Sequence, residues 1–151
     1  NRCRRQRQMC IRDSCKILNS MEHTWKDSLN LMGWGVEDDG LSVIFDKIIP
    51  EFITKKLPQV VNEFPLKDLD GYVLHSGGMK IIDAYKKIFN NDPTIEISQK
   101  ILSEYGNVSS VSVLLVLKEM IKKKSNGIFL MSALGPGFTA GMTGLKICSN
   151  D

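Results

Sequence analysis

Several things are missing from this sequence, and each absence narrows its chemistry. No apolar run approaches the ~20 residues that a bilayer-spanning helix needs, and no basic, apolar and small-residue leader opens the chain. The expectation is a cytoplasmic protein without a membrane span. Cysteine is scarce outside one corner: Cys3, Cys10 and Cys15 crowd the first 20 residues, and only Cys148 lies beyond them. Six and four residues separate the three, which is not the spacing of a zinc knuckle, and His23 stands alone as a possible fourth ligand. No metal site is expected. Internal repeats and low-complexity segments are also absent from the remainder of the chain.

The apparent positive charge disappears on the same division. Formal net charge is +3, from 20 basic and 17 acidic residues. Six basic residues (Arg2, Arg4, Arg5, Arg7, Arg12, Lys16) and one acid (Asp13) fall in residues 1–20, so the other 131 residues carry 14 basic and 16 acidic side chains. Residues 1–20 show none of the apolar periodicity found downstream. They read as a basic tail, non-native or disordered, set apart from a domain over 21–151. With the charge confined to that tail, a nucleic-acid partner is not expected.

What is present suits a packed core. Hydrophobic residues make up 42% and charged residues 25% of 151, the composition of one globular domain or half of a larger one. Residues 41–47 alternate and are rich in β-branched and aromatic types, predicting a strand after the turn at 37–40. Ile49, Phe52, Ile53, Leu57, Val60, Val61 and Phe64 recur at helical spacing, with Pro50 in the first turn and Pro58 predicting a kink or break. A short strand over Tyr72–Leu74 leads to a helix carrying Ile81, Ile82, Tyr85, Ile88 and Phe89. Ile97, Ile101, Leu102 and Tyr105 mark another, closed by Gly106. The next helix, about 110–124, is apolar nearly all round and needs cover on most sides; Ser109 or Asn107 is placed to cap it. Gly127–Leu134 and Phe138–Cys148 read as a hairpin about Gly135-Pro136-Gly137. The order is β-α-β-α-α-α-β-β, an α/β fold.

Three segments hold residue types the fold alone does not require: His75-Ser76-Gly77-Gly78, Glu104-Tyr105-Gly106-Asn107-Val108-Ser109-Ser110, and Leu134-Gly135-Pro136-Gly137-Phe138. Taken singly, each has a plain structural reading: a strand-to-helix turn, a helix stop followed by a helix start, and a hairpin turn. Taken together, at these spacings and with an apolar helix between the second and third, they are specific.

The set resembles the C-terminal half of type III polyketide synthases, the chalcone and stilbene synthase family of the thiolase-like fold. HSGG resembles that family's HPGG motif, EYGNVSS its GNMSS motif, and ALGPGFT its GFGPG loop. The segment MGWGVEDDGLSVIFDKIIPEFI follows the family's Gly-Trp turn, strand and Pro-started helix. The resemblance covers roughly residues 28–148. It implies half of a thiolase-like fold, with a mixed sheet, a buried central helix and covering helices. It implies an acyltransferase in which malonyl-CoA loses carbon dioxide and its carbanion attacks an acyl group held on a cysteine. Carried over, His75 and Asn107 are catalytic, as donors to the developing oxyanion. Gly77, Gly78, Ser109, Gly135, Pro136 and Gly137 bind or shape room for substrate. No cofactor is implied beyond the acyl-CoA and malonyl-CoA substrates; the implied partners are the N-terminal half of the same enzyme and, at full length, a second copy.

The sequence departs from that pattern in one large respect: the family's nucleophilic cysteine lies in the N-terminal half, and Cys148, at the end of the last strand, does not replace it. The chain alone is therefore expected to be inactive. It is also expected to show an exposed apolar patch larger than the ~300–600 Å² usual for a monomer, where the other half would sit. Ser76 replaces the proline after the histidine, and Val43 stands where plant members have a gatekeeping phenylalanine. Two alternatives remain: a condensing enzyme like ketoacyl-acyl-carrier-protein synthase III, and a non-catalytic thiolase-fold interaction domain.

Overall fold

The structure is a computed structural model that describes residues 15–123 and 125–148. Among these are six strands, β1 (Cys15–Thr24), β2 (Met32–Glu37), β3 (Gly40–Phe45), β4 (Gly71–Leu74), β5 (Gly127–Gly135) and β6 (Thr139–Ile147). Four helices accompany them: α1 (Ile49–Glu63), α2 (Met79–Ile88), α3 (Ile95–Tyr105) and α4 (Val111–Lys122). One mixed sheet has the order β1-β6-β5-β4, antiparallel except for the parallel β4–β5 pair, and β2 and β3 form a separate antiparallel hairpin.

Strand alternation distributes the core over both faces of the sheet. Leu74 faces α1 and α2, sharing a cluster with Ile49, Ile53, Leu57, Ile82 and Tyr85. Its neighbour Val73 faces the other way, into Ile97 and Ile101 of α3 and Val113, Val116 and Met120 of α4. On β5, Leu130 joins Val60 of α1 and Phe64 at its C-cap while Phe129 joins the α3–α4 side. A sheet buried on both faces needs helices on both, which is why the apolar stripes of α1, α2, α3 and α4 are all required.

Three local expectations are revised. The sheet begins at Cys15, so residues 15–20 belong to it: Cys15 pairs with Ile147 and Ser20 with Thr143. The boundary between tail and domain therefore lies upstream of residue 20, and the tail's first 14 residues lie outside the described ones. β1 hid in the sequence because it is a half-exposed edge strand whose alternation is broken by a register shift between Ile17 and Asn19. β2 was legible only as a Gly-Trp turn, since Gly33 and Gly35 occupy alternate positions and lower strand propensity. Pro58 lies inside one continuous helix: it removes a backbone donor, but buried Leu57 and Val60 on either side hold the helix to the sheet.

Helix α4 is covered by the sheet and by α3, and not on its remaining side. Ser112, Val113, Val116 and Met120 are buried, whereas Val111 is 51% and Leu114 54% exposed. With Val108 they leave an apolar stripe open to solvent. No helix among the described residues is long and apolar enough to cross a membrane.

Candidate active site

His75 is fixed by the strand it follows. Its backbone N–H donates to the Ser132 carbonyl (3.0 Å), continuing the parallel β4–β5 ladder one residue past Leu74. The Leu74 carbonyl in turn accepts a hydrogen bond from the fully buried Ser98 hydroxyl of α3 (2.9 Å). The imidazole thus sits at the carboxyl end of a parallel strand, where α/β sheets characteristically open crevices for ligands. The chain then turns at once: Gly77 N–H bonds back to the His75 carbonyl (3.0 Å), and Gly78, at φ 156°, leads into α2. Gly77 packs under the ring, since a Cβ there would lie 3.4 Å from His75 Cδ2.

Asn107 arrives from the other side. Gly106, at φ 69°, ends α3 by donating to the Leu102 carbonyl (2.9 Å). The Asn107 side chain then bridges two loops: Nδ2 donates to the Gly77 carbonyl (3.1 Å), and Oδ1 accepts from the Ser109 N–H (3.0 Å). An amide nitrogen carries two hydrogens, so one remains for a ligand. Neither Asn107 nor Ser109 caps α4. The N-cap is Ser110, without a side-chain bond, and Ser112 Oγ accepts from the Val108 N–H instead (3.0 Å).

The third loop closes the floor. Gly135 pairs with Thr139 across the β5–β6 turn. The turn is held from behind by the buried Ser28, whose hydroxyl donates to the Trp25 carbonyl (2.6 Å) and accepts from the Phe138 N–H (2.7 Å). Gly137, at φ 128°, places its carbonyl 3.2 Å from the same hydroxyl.

His75, Asn107, Ser109, Gly135 and Pro136 all line one open cavity of about 710 Å³. Gly77, Gly78 and Gly137 do not line it; they hold the loops that do. Ser110, Ala133, Leu134 and Thr139 complete the inner surface, and Glu22 marks its β1 edge. The opposite wall was not anticipated as a unit: it is the β2–β3 hairpin, contributing Met32, Trp34, Val43 and Phe45. The pairs Met32–Phe45, Trp34–Val43 and Val36–Leu41 put six apolar side chains on one hairpin face. Alternation at 32, 34, 36 and 41, 43, 45 was the signal in the sequence, and only the second half of it reads as a strand without the pairing.

His75 is 7% exposed, and burial pushes its imidazole pKa below the ordinary 6.5. At neutral pH the ring is therefore uncharged, a donor at one nitrogen and an acceptor at the other. Its Nδ1 is buried without a hydrogen-bond partner among the described residues. A neutral imidazole and a spare amide N–H at one cavity can stabilise negative charge developing on a substrate oxygen. The described residues bring no cysteine there. Cys15 pairs with Ile147, six residues along β6 from the Gly141 that lines the cavity, roughly 20 Å away at strand spacing. Burial and the nearby Cys148 also push the Cys15 thiol pKa up, away from thiolate.

Residues 16–146 match the family described as chalcone and stilbene synthases, C-terminal domain. A Bacillus subtilis (strain 168) protein named "Putative chalcone synthase" is 36% identical over 135 residues, covering 83% of this chain and 37% of that protein. The 1,3,6,8-tetrahydroxynaphthalene synthase of Streptomyces coelicolor is 31% identical over 121 residues, covering 73% of this chain and 32% of the enzyme. Its crystal structure superposes with a TM-score of 0.76 at 25% identity, covering 91% of this chain and 42% of that one. The C-terminal type III polyketide synthase domain of Steely1 from Dictyostelium superposes with a TM-score of 0.81 at 24% identity, covering 89% and 41%. At that identity the Steely1 likeness speaks for the fold. The chain spans about a third of the length of these curated relatives.

Proposed function

The chain belongs to the chalcone and stilbene synthase family, and from that premise we propose that it supplies the charge-stabilising half of a condensing active site. In this reading, malonyl-CoA binds with its thioester oxygen facing the His75 imidazole and the free N–H of Asn107. The C–C bond to the carboxylate breaks, carbon dioxide leaves, and the electron pair passes to the α-carbon and the thioester oxygen. The enolate carbon then attacks an acyl group held as a thioester on a cysteine, forming a C–C bond and releasing the thiolate. That cysteine belongs to an N-terminal half outside this chain. Neither step calls for a cofactor, so acyl-CoA and malonyl-CoA are the only small molecules invoked.

The observation that carries the reading is the bridge from Asn107 Nδ2 to the Gly77 carbonyl, which holds both donor loops beside one cavity. Donors placed before the reaction need no reorganisation when charge appears, and removing one such donor typically costs ~10²–10³ in rate. The open stripe Val108, Val111 and Leu114 supports a partner half of the same enzyme packing on α4, and the complete enzyme is read as a homodimer.

Decarboxylation of radiolabelled malonyl-CoA tests the proposal, using the chain alone and the chain joined to an N-terminal half with its cysteine. No turnover is expected from the first. Turnover is expected from the second, falling at least ~10²-fold in Asn107→Ala and in His75→Ala. Full activity in both variants would refute the assignment.

A further inference from the structure

Glu22 is a carboxylate at the cavity that the condensation chemistry does not use, and the sheet register fixes its relation to His75. Met21 of β1 and Trp25 just after it pack toward α1. Alternation therefore turns Glu22 and Thr24 to the other face, the cavity side. Glu22 pairs with Gly141 and Gly141 with Ala133. Because the β4–β5 ladder continues past Leu74–Ser132, His75 is level with Ala133. Glu22, Gly141, Ala133 and His75 thus form one row across all four strands. Three inter-strand steps separate its ends, about 14 Å between Cα atoms. Its two middle members are glycine and alanine, so nothing rises from the floor between imidazole and carboxylate. Glu22 also lines a second cavity of about 450 Å³ running on along β1 and β6, and it stands where the two join.

We propose that Glu22 is a specificity-determining residue that selects acyl groups carrying a hydroxyl, rather than a methyl or an anion, at the end remote from the thioester. This rests on the condensing-site reading above. An acyl chain with its thioester at His75 and Asn107 runs over Ala133 and Gly141, beside the hairpin wall of Trp34, Val43 and Phe45, and ends at Glu22. A carboxylate only accepts hydrogen bonds. Glu22 is exposed in this chain, so an acyl end seated against it displaces part of its water: a methyl end returns nothing, an anionic end is repelled, and a hydroxyl restores a donor. The next row supplies a second hydroxyl partner: Thr139, which lines the cavity and is hydrogen-bonded to Thr24 (2.8 Å).

The test uses paired non-reactive thioether analogues of acyl-pantetheine, identical in length and ending in hydroxyl or methyl, titrated calorimetrically into the full chain. The wild type is expected to bind the hydroxyl member at least tenfold more tightly. Glu22→Leu should abolish or reverse that preference, and Glu22→Gln, which keeps a carbonyl acceptor, should retain part of it. A merely structural role would weaken both ligands equally. An unchanged ratio in Glu22→Leu, or a wild-type preference for the methyl end, overturns the proposal. Malonyl-CoA decarboxylation by the wild type joined to its N-terminal half reports separately on the condensing reading, so the two fail distinguishably.

Discussion

Replacing Ser98 by alanine should destabilise the protein out of proportion to the single oxygen atom it removes. Ser98 is fully buried on α3, and its hydroxyl donates to the Leu74 carbonyl at 2.9 Å, the last carbonyl of β4 before His75. Deleting it leaves a buried acceptor with no water to replace the donor, a loss of about 1–3 kcal/mol. For a chain of this size, that corresponds to a fall in melting temperature of about 3–10 °C. Ser103 is the control, one turn further along the same helix. Its hydroxyl donates to the Lys100 carbonyl at 2.7 Å but is exposed, so Ser103→Ala should stay within about 0.5 kcal/mol. Urea unfolding followed by circular dichroism should show a lower midpoint for Ser98→Ala with an unchanged slope. Hydrogen exchange gives a local readout, since the His75 amide bonded to the Ser132 carbonyl should exchange faster in Ser98→Ala. If the two variants are equally stable and the His75 amide is equally protected in both, α3 does not anchor the end of β4.

Four further outcomes are expected. Because burial holds the folded His75 pKa below its ordinary 6.5, the unfolded chain binds that proton more readily. Stability should therefore rise with pH from the depressed folded value up to about 6.5, and the wild-type minus His75→Gln difference, measured by denaturant unfolding across pH 4.5–7.5, should carry that slope; a flat difference would contradict it. Gly127→Ala should cost about 2 kcal/mol, because Gly127 sits at φ 142° and its Cβ would run into the Asp70 carboxylate that accepts from the Ile128 N–H (2.7 Å). Gly33→Ala, with nothing within 4 Å, serves as its near-neutral comparison in thermal melts. Asn107→Ala should lower stability by less than about 1 kcal/mol yet raise exchange at the Ser109 amide, since both of its bonds are exposed to competing water. The double change Val111→Gln, Leu114→Gln should leave the chain's own stability within about 0.5 kcal/mol while weakening its association with an added N-terminal half in sedimentation.

Much of this protein is written in local pattern. The apolar periods of α1, α2, α3 and α4 mark their buried sides, and glycines with positive φ at 78, 106 and 137 mark the turns that carry the site loops. His75 and Asn107 stood out because the HSGG and EYGNVSS segments that hold them resemble the family's motifs. The parts that did not read locally are those whose identity depends on a distant partner. Cys15–Thr24 becomes a strand by pairing with Thr139–Ile147, more than a hundred residues away, and Met32–Glu37 becomes one by pairing with β3. Helix α4 shows the opposite case: its sequence demands cover all round, and the fold leaves one side open.

The sequence by itself determined which residues match the family's motifs, which segments are helical, and that the thiol cluster and positive charge belong to one end. Only the tertiary structure decided which side chains share a cavity. Periodicity states which face of an element avoids water, but not which row of a neighbouring strand it will meet. That alignment comes from register, set by backbone hydrogen bonds between segments far apart in the chain, and it is register that lays Glu22, Gly141, Ala133 and His75 in a single line.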